Sequence, residues 1–193
     1  MVNKNKAVEL KPQNVKFVHR RAVILHRMKK YEEALEDRTR AITLDPNNAL
    51  YIWQRGVTLH KMKHYEEALS DKTKAIFLAP ENAQYYNSRG VTFHEMKRYD
   101  EAVRDQNKAI ELKPDSAAYY HSRAVTLYAM KHYDEALKDE SVAIDFALDN
   151  ADYYYGRSLI YYSMGNMKLA DHNFRIAKQL GGKRQFPVLQ NKM

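Results

Sequence analysis

Residues 49–82 read ALYIWQRGVTLHKMKHYEEALSDKTKAIFLAPEN, and residues 83–116 read AQYYNSRGVTFHEMKRYDEAVRDQNKAIELKPDS. The two stretches agree at 18 of 34 positions, which points to duplication of one unit. Working outward, Pro12, Pro46, Pro80 and Pro114 keep the same step of 34. So do Tyr31, Tyr65, Tyr99 and Tyr133; Ala34, Ala68, Ala102, Ala136 and Ala170; and Ala41, Ala75, Ala109, Ala143 and Ala177. A fixed period of this length marks a stack of like supersecondary units. Five repeats fit, at 15–48, 49–82, 83–116, 117–150 and 151–182. Residues 1–14 form the end of a partial repeat and 183–193 a C-terminal tail.

Each repeat reads as two helices. Asn14, Asn48, Asn82, Ser116 and Asn150 stand just ahead of the first helix, where a short polar side chain accepts from free N–H groups. The second helix opens with YEEA or YDEA in four repeats, and acidic residues in a first turn complement the helix dipole. It closes before a proline, which cannot continue it. In the second repeat Leu59, Met62, Tyr65, Ala68, Leu69, Ala75, Ile76 and Leu78 form the apolar face, with Gly56 and Ala68 small where helices approach. One helix pair cannot bury that face alone, so neighbours must stack.

Gly56, Tyr65, Ala68, Ala75 and Pro80, with their equivalents along nearly the whole chain, resemble the tetratricopeptide repeat (TPR) family. The resemblance implies an all-α chain, a right-handed α-solenoid of antiparallel helix pairs. It also implies a protein–protein interaction scaffold or adaptor. Several positions depart from the family pattern. Arg21, Arg55, Arg89, Arg123 and Arg157 stand where leucine is usual, and Arg38, Lys72, Gln106 and Glu140 where Phe or Tyr is usual; Phe174 keeps the aromatic. Lys29, Lys63, Lys97 and Lys131 replace the inter-helix glycine that Gly165 keeps, and Leu148 replaces a proline. The recurrent Asp37, Asp71, Asp105 and Asp139 are expected to pair with the recurrent arginines and hold helices together.

The formal charge is +8 over 193 residues, with 45% hydrophobic and 29% charged residues, as in a folded and not a disordered chain. The positive excess sits at the two ends and is not a continuous stripe, so nucleic-acid binding ranks last among the functions considered. The sequence has no cysteine, which excludes disulfides, thiolate metal sites and a cysteine nucleophile. No phosphate loop, nucleophile elbow or zinc-protease motif is present. His60 and His64 have a ligand spacing but no evident third ligand. The expectation is therefore no enzyme, no metal and no cofactor. Neither a signal peptide nor an apolar run of membrane-spanning length is seen, which favours a cytoplasmic protein.

Family resemblance places the first helix of each repeat on an inner, concave surface. Helical spacing then picks out three rows. The first is His19, Trp53, Asn87, His121 and Tyr155. The second is Val23, Val57, Val91, Val125 and Leu159, which either line a groove or pack against neighbouring helices. The third is His26, His60, His94, Tyr128 and Tyr162. A rim row holds Lys16, Leu50, Gln84, Ala118 and Asp152. The first row varies between repeats while scaffold positions recur, as a site tuned to one asymmetric ligand does. The expected ligand is a protein or peptide, an extended segment or a partner helix. The Lys and Asn clamp with which some relatives hold acidic chaperone tails is missing. The alternative function is a structural module assembling end to end through uncapped repeat ends. Lys6–Pro12 (KAVELKP) aligns with Lys108–Pro114 (KAIELKP), so the chain starts partway through a repeat, as a segment of a longer array or an array with a trimmed first helix does. At the other end Gly181 and Gly182 stop the last helix. The tail carries Phe186, Val188 and Leu189, and is expected to fold back over Phe174 or to dock on a neighbouring molecule.

Overall fold

The computed structural model of the chain describes residues 14–185. The expected partial repeat therefore lies outside the described residues up to Asn14, as does the tail from Phe186 onward. Among the described residues there are ten helices and no strand. They are α1 (Val15–Arg27), α2 (Tyr31–Leu44), α3 (Ala49–Lys61), α4 (Tyr65–Leu78), α5 (Ala83–Glu95), α6 (Tyr99–Leu112), α7 (Ala117–Ala129), α8 (Tyr133–Phe146), α9 (Ala151–Ser163) and α10 (Met167–Gln179). First helices have 13 residues; the second helices α2, α4, α6 and α8 have 14. Helix α8 keeps that length although Leu148 stands in place of the proline, so the proline is not needed to stop it.

Capping follows the sequence at four of five positions. The side-chain oxygens of Asn14, Asn48, Asn82 and Asn150 accept from N–H groups of the first turn. Ser116 is the exception and makes no such bond. The turns inside the repeats share one geometry. Lys29, Lys63, Lys97, Lys131 and Gly165 all take positive φ, between 61° and 79°. The next N–H then reaches back to a carbonyl five residues earlier, as in Lys30 to Leu25 and His132 to Leu127, both at 2.9 Å. This is the left-handed C-terminal cap that glycine usually supplies.

The described residues fall into two compact bodies, one ending at Arg98 and the other beginning at Tyr99. In the first, α1 packs on α2, α2 on α3, α3 on α4 and α4 on α5. Its core joins Val18 and Ala41, and separately Ile52, Ala75, Ile76 and Tyr85. In the second body α6 packs on α7, α7 on α8, α8 on α9 and α9 on α10. There Ala124, Leu127, Ala136 and Ile160 form one cluster, and Ala143, Ile144, Tyr153, Tyr154 and Ala177 another. The recurrent alanines of the second helices are at most 2% exposed. They let helix axes approach, and Gly56 does the same: a Cβ there would meet the Ala68 carbonyl oxygen at 3.1 Å.

Three of the expected arginine–aspartate pairs form, each within a repeat. Arg21 and Asp37 make two hydrogen bonds of 2.7 and 2.6 Å, Arg55 and Asp71 two of 2.8 Å, and Arg123 and Asp139 two of 2.6 and 2.7 Å. In the last repeat Asn173 takes the place of the aspartate, accepting from Arg157 Nε at 2.7 Å. Two parallel N–H···O bonds fix geometry as well as charge. These pairs clamp the first helix of a repeat to its second.

Candidate functional site

Each first helix carries its three row residues at i, i+4 and i+7, one side of a helix. In the first body these are His19, Val23 and His26 on α1, Trp53, Val57 and His60 on α3, and Asn87, Val91 and His94 on α5; all are half-buried. In the second body they are His121, Val125 and Tyr128 on α7, and Tyr155, Leu159 and Tyr162 on α9. Val125 is 40% exposed and the others are half-buried.

These side chains also join consecutive repeats. The His19 ring lies 4.9 Å from Tyr51, Trp53 stacks on Tyr85 at 5.4 Å, and His121 lies 4.9 Å from Tyr153. His26 Nδ1 is 3.2 Å from Thr58 Oγ1, and His60 Nδ1 is 3.1 Å from Thr92 Oγ1. Tyr128 and Ser163 share a hydrogen bond of 2.9 Å between their hydroxyls. Burial lowers the pKa of His19, His26, His60 and His94, with His60 brought to about 4 by burial and then by the Lys72 and Lys61 cations. With burial holding them below the ordinary value, His26 and His60 act as neutral hydrogen-bonding rings at pH 7. No group of three metal-ligating side chains exists among the described residues.

The series Arg38, Lys72, Gln106 and Glu140 stands in the sequence only as a departure from an aromatic. All four are at most 4% exposed. Three of them reach across to the first helix of the following repeat. Arg38 donates to Gln54 Oε1 at 2.8 Å. Lys72 donates to the Ser88 carbonyl at 2.9 Å and to Thr92 Oγ1 at 2.6 Å. Gln106 donates to the Ser122 carbonyl at 3.0 Å and to Thr126 Oγ1 at 2.9 Å. Glu140 accepts from His121 Nδ1 at 2.8 Å in its own repeat, and its carboxylate fills the space over Gly156. Burial pushes Arg38 down to about 10 and Lys72 to about 7, and raises Glu140. The constant spacing of 16 from this position to Gln54, Ser88 and Ser122 was a signal available in the sequence.

At the end of α10 the chain turns back. Gly181 takes φ +85°, and the Gly182 N–H donates to the Ala177 carbonyl at 2.9 Å. A Cβ on Gly182 would lie 2.6 Å from that carbonyl oxygen, so glycine is required. The following residues lie against α9. The Tyr155 hydroxyl donates to the main-chain carbonyl of Gln185 at 3.1 Å. The Arg184 guanidinium sits 5.2 Å from the Tyr155 ring and 3.3 Å from Asp152 Oδ1. Phe174 is half-buried, with Tyr155 at 6.4 Å and the Lys178 ammonium at 5.6 Å. Residues 184 and 185 thus lie against Tyr155 and Asp152 of α9, while Phe186, Val188 and Leu189, on which the expectation for the tail turned, lie outside the described residues.

A 34-residue period of consecutive antiparallel helices, with a varied row on the first helices, defines a helical-repeat protein. Residues 15–48 and 83–116 match the model of the tetratricopeptide repeat. These two of the five repeats are tetratricopeptide repeats, and the whole chain has the fold of proteins built from them. Solved structures with this fold include MamA, from residue 41 to its end, of Desulfovibrio magneticus RS-1, at 17% identity and TM-score 0.75, covering 86% of this chain and 94% of that one. YrrB, described as a TPR protein with an unusual peptide-binding site, is 20% identical with TM-score 0.66, covering 93% of each chain. Pseudomonas aeruginosa pilF is 21% identical with TM-score 0.76, covering 94% of this chain and 82% of that one. No curated protein sequence matches the chain significantly. No described helix is long and apolar enough to cross a membrane.

Proposed function

We propose that the chain is a protein-interaction adaptor that binds an extended peptide along the first-helix face of its repeats. The observation that carries this is Tyr155. Its hydroxyl already holds a main-chain carbonyl while its ring takes a cation, two interactions by which an aromatic row retains a peptide irrespective of most side chains. In the first body, Trp53 and His60 stand half-buried at the matching positions, with Val57 between them as apolar floor. The similarity to YrrB, itself described with a peptide-binding site, agrees with this reading.

Peptides selected from a random display library on the full chain, then titrated by fluorescence anisotropy, test it. Trp53→Ala or Tyr155→Ala should weaken the selected peptide about tenfold or more, the effect of losing an aromatic anchor. Glu111→Ala, on an exposed second-helix position, should leave it unchanged. If no peptide is enriched, or if binding ignores both aromatic substitutions, the function lies elsewhere. Self-assembly through the repeat ends would then be visible as concentration-dependent mass in analytical ultracentrifugation.

A further inference from the structure

We infer that the last rung of this face is a site for an arginine-bearing extended segment, and that Gly182–Gln185 of the chain itself occupies it and competes with an outside ligand. The inference rests on the peptide-binding reading above and adds the chemistry of the ligand and its regulation.

The site is built from three side chains on two helices. Tyr155 supplies a hydroxyl donor and a ring face, Asp152 a carboxylate one turn earlier on α9, and Phe174 on α10 closes the wall behind Tyr155. Each contact is matched by the bound segment. Arg184 covers the ring and pairs with the carboxylate, and the next carbonyl, that of Gln185, takes the hydroxyl proton. A planar cation beside a carbonyl acceptor is the chemistry this rung recognises, and guanidinium satisfies ring and carboxylate together.

In earlier repeats the equivalent of Phe174 is covered by the first helix of the following repeat, as Lys72 is covered by Ser88 and Thr92 on α5. At the last repeat Gly182 and Arg184 border one small cavity together with Asp152, Tyr155 and Phe174, where the Gly181–Gly182 turn brings them. The individual contacts are weak. Arg184 and Asp152 both keep more than half of their side-chain surface in water, and such exposed pairs hold little in isolation. A tether of a few residues nevertheless supplies an effective concentration of about millimolar, so weak contacts keep the rung filled in cis while yielding to a ligand with more anchors. The segment therefore acts as a reversible plug on one end of the binding face.

The test uses a fluorescein-labelled synthetic peptide of residues 182–193 and three proteins: the full chain, a chain ending at Gly181, and the full chain with Arg184→Ala. Anisotropy should show the peptide binding the truncated chain and the Arg184→Ala chain about tenfold or more tighter than the unmodified chain. The same peptide carrying Arg184→Ala, and truncated chains carrying Asp152→Asn or Tyr155→Phe, should lose that binding. Circular dichroism checks that the truncated chain keeps its helices, and the exposed Arg184→Ala variant serves if it does not. Equal affinity for all three proteins, or no binding to any, overturns the inference. A library-selected peptide that depends on Trp53 but is indifferent to truncation would leave the adaptor reading intact while this one fails.

Discussion

Lys72 is a cation 2% exposed with only neutral oxygens as partners, Ser88 O and Thr92 Oγ1. Its folded pKa, about 7, lies below the ordinary 10.5. Between those values the unfolded chain binds more protons, so stability rises with pH across that window, and below pH 7 the whole penalty is present. Lys72→Met should therefore stabilise the chain at pH 6 by about 1–4 kcal/mol. Most of that gain should vanish at pH 10, which urea unfolding at the two values measures. A second residue-scale cost sits in the turns. Lys63 holds φ 64°, a conformation that penalises a side chain by about 1–2 kcal/mol. Lys63→Gly should raise stability by part of that, about 0.5–1 kcal/mol. The sequence showed lysine where glycine is usual, and the turn kept its shape at the expense of strain. The burial of Lys72 was not legible, because a lysine among charged neighbours reads as solvated until the next helix is packed over it.

At the scale of the helix, beginnings were legible and side-chain roles less so. Five polar residues were expected to cap first helices, and Ser116 does not. Asn48→Ala should thus cost about 1 kcal/mol, and Ser116→Ala close to nothing. The three arginine–aspartate clamps were legible from period alone, since oppositely charged positions that share a step of 34 and lie 16 residues apart are placed alike in each repeat. The row on the first helices was legible as a face. Its packing was not: His19, Trp53 and His121 each lean on a tyrosine of the next repeat, a contact that depends on how helices stack. Helix α9 carries Gly156 because the Glu140 carboxylate fills the space a methyl group would take. Gly156→Ala should push that carboxylate off its bond to His121, at a cost of about 0.5–1.5 kcal/mol. Glu140→Ala in the same chain should recover most of the loss, and a double-mutant cycle reads the coupling.

For the whole molecule, the four histidines with lowered pKa all belong to residues 1–98. A lowered histidine pKa gives stability that is present above about 6.5 and lost as pH falls toward the folded value, about 4 for His60. Hydrogen exchange followed from pH 7 to pH 5, corrected for intrinsic rates, should show amides of α1–α5 losing protection ahead of those of α7–α10. The series Arg38, Lys72, Gln106 and Glu140 has another consequence, for anyone editing the gene. Excising codons 83–116 brings Lys72 against Ser122 and Thr126, the same chemical groups as Ser88 and Thr92, so the splice is seamless. Excising codons 117–150 instead sets Gln106 against Gly156 and Ile160, where no hydroxyl waits for its amide. Modules of equal length are thus not equally dispensable, and the rules for trimming this array are written in its least visible side chains.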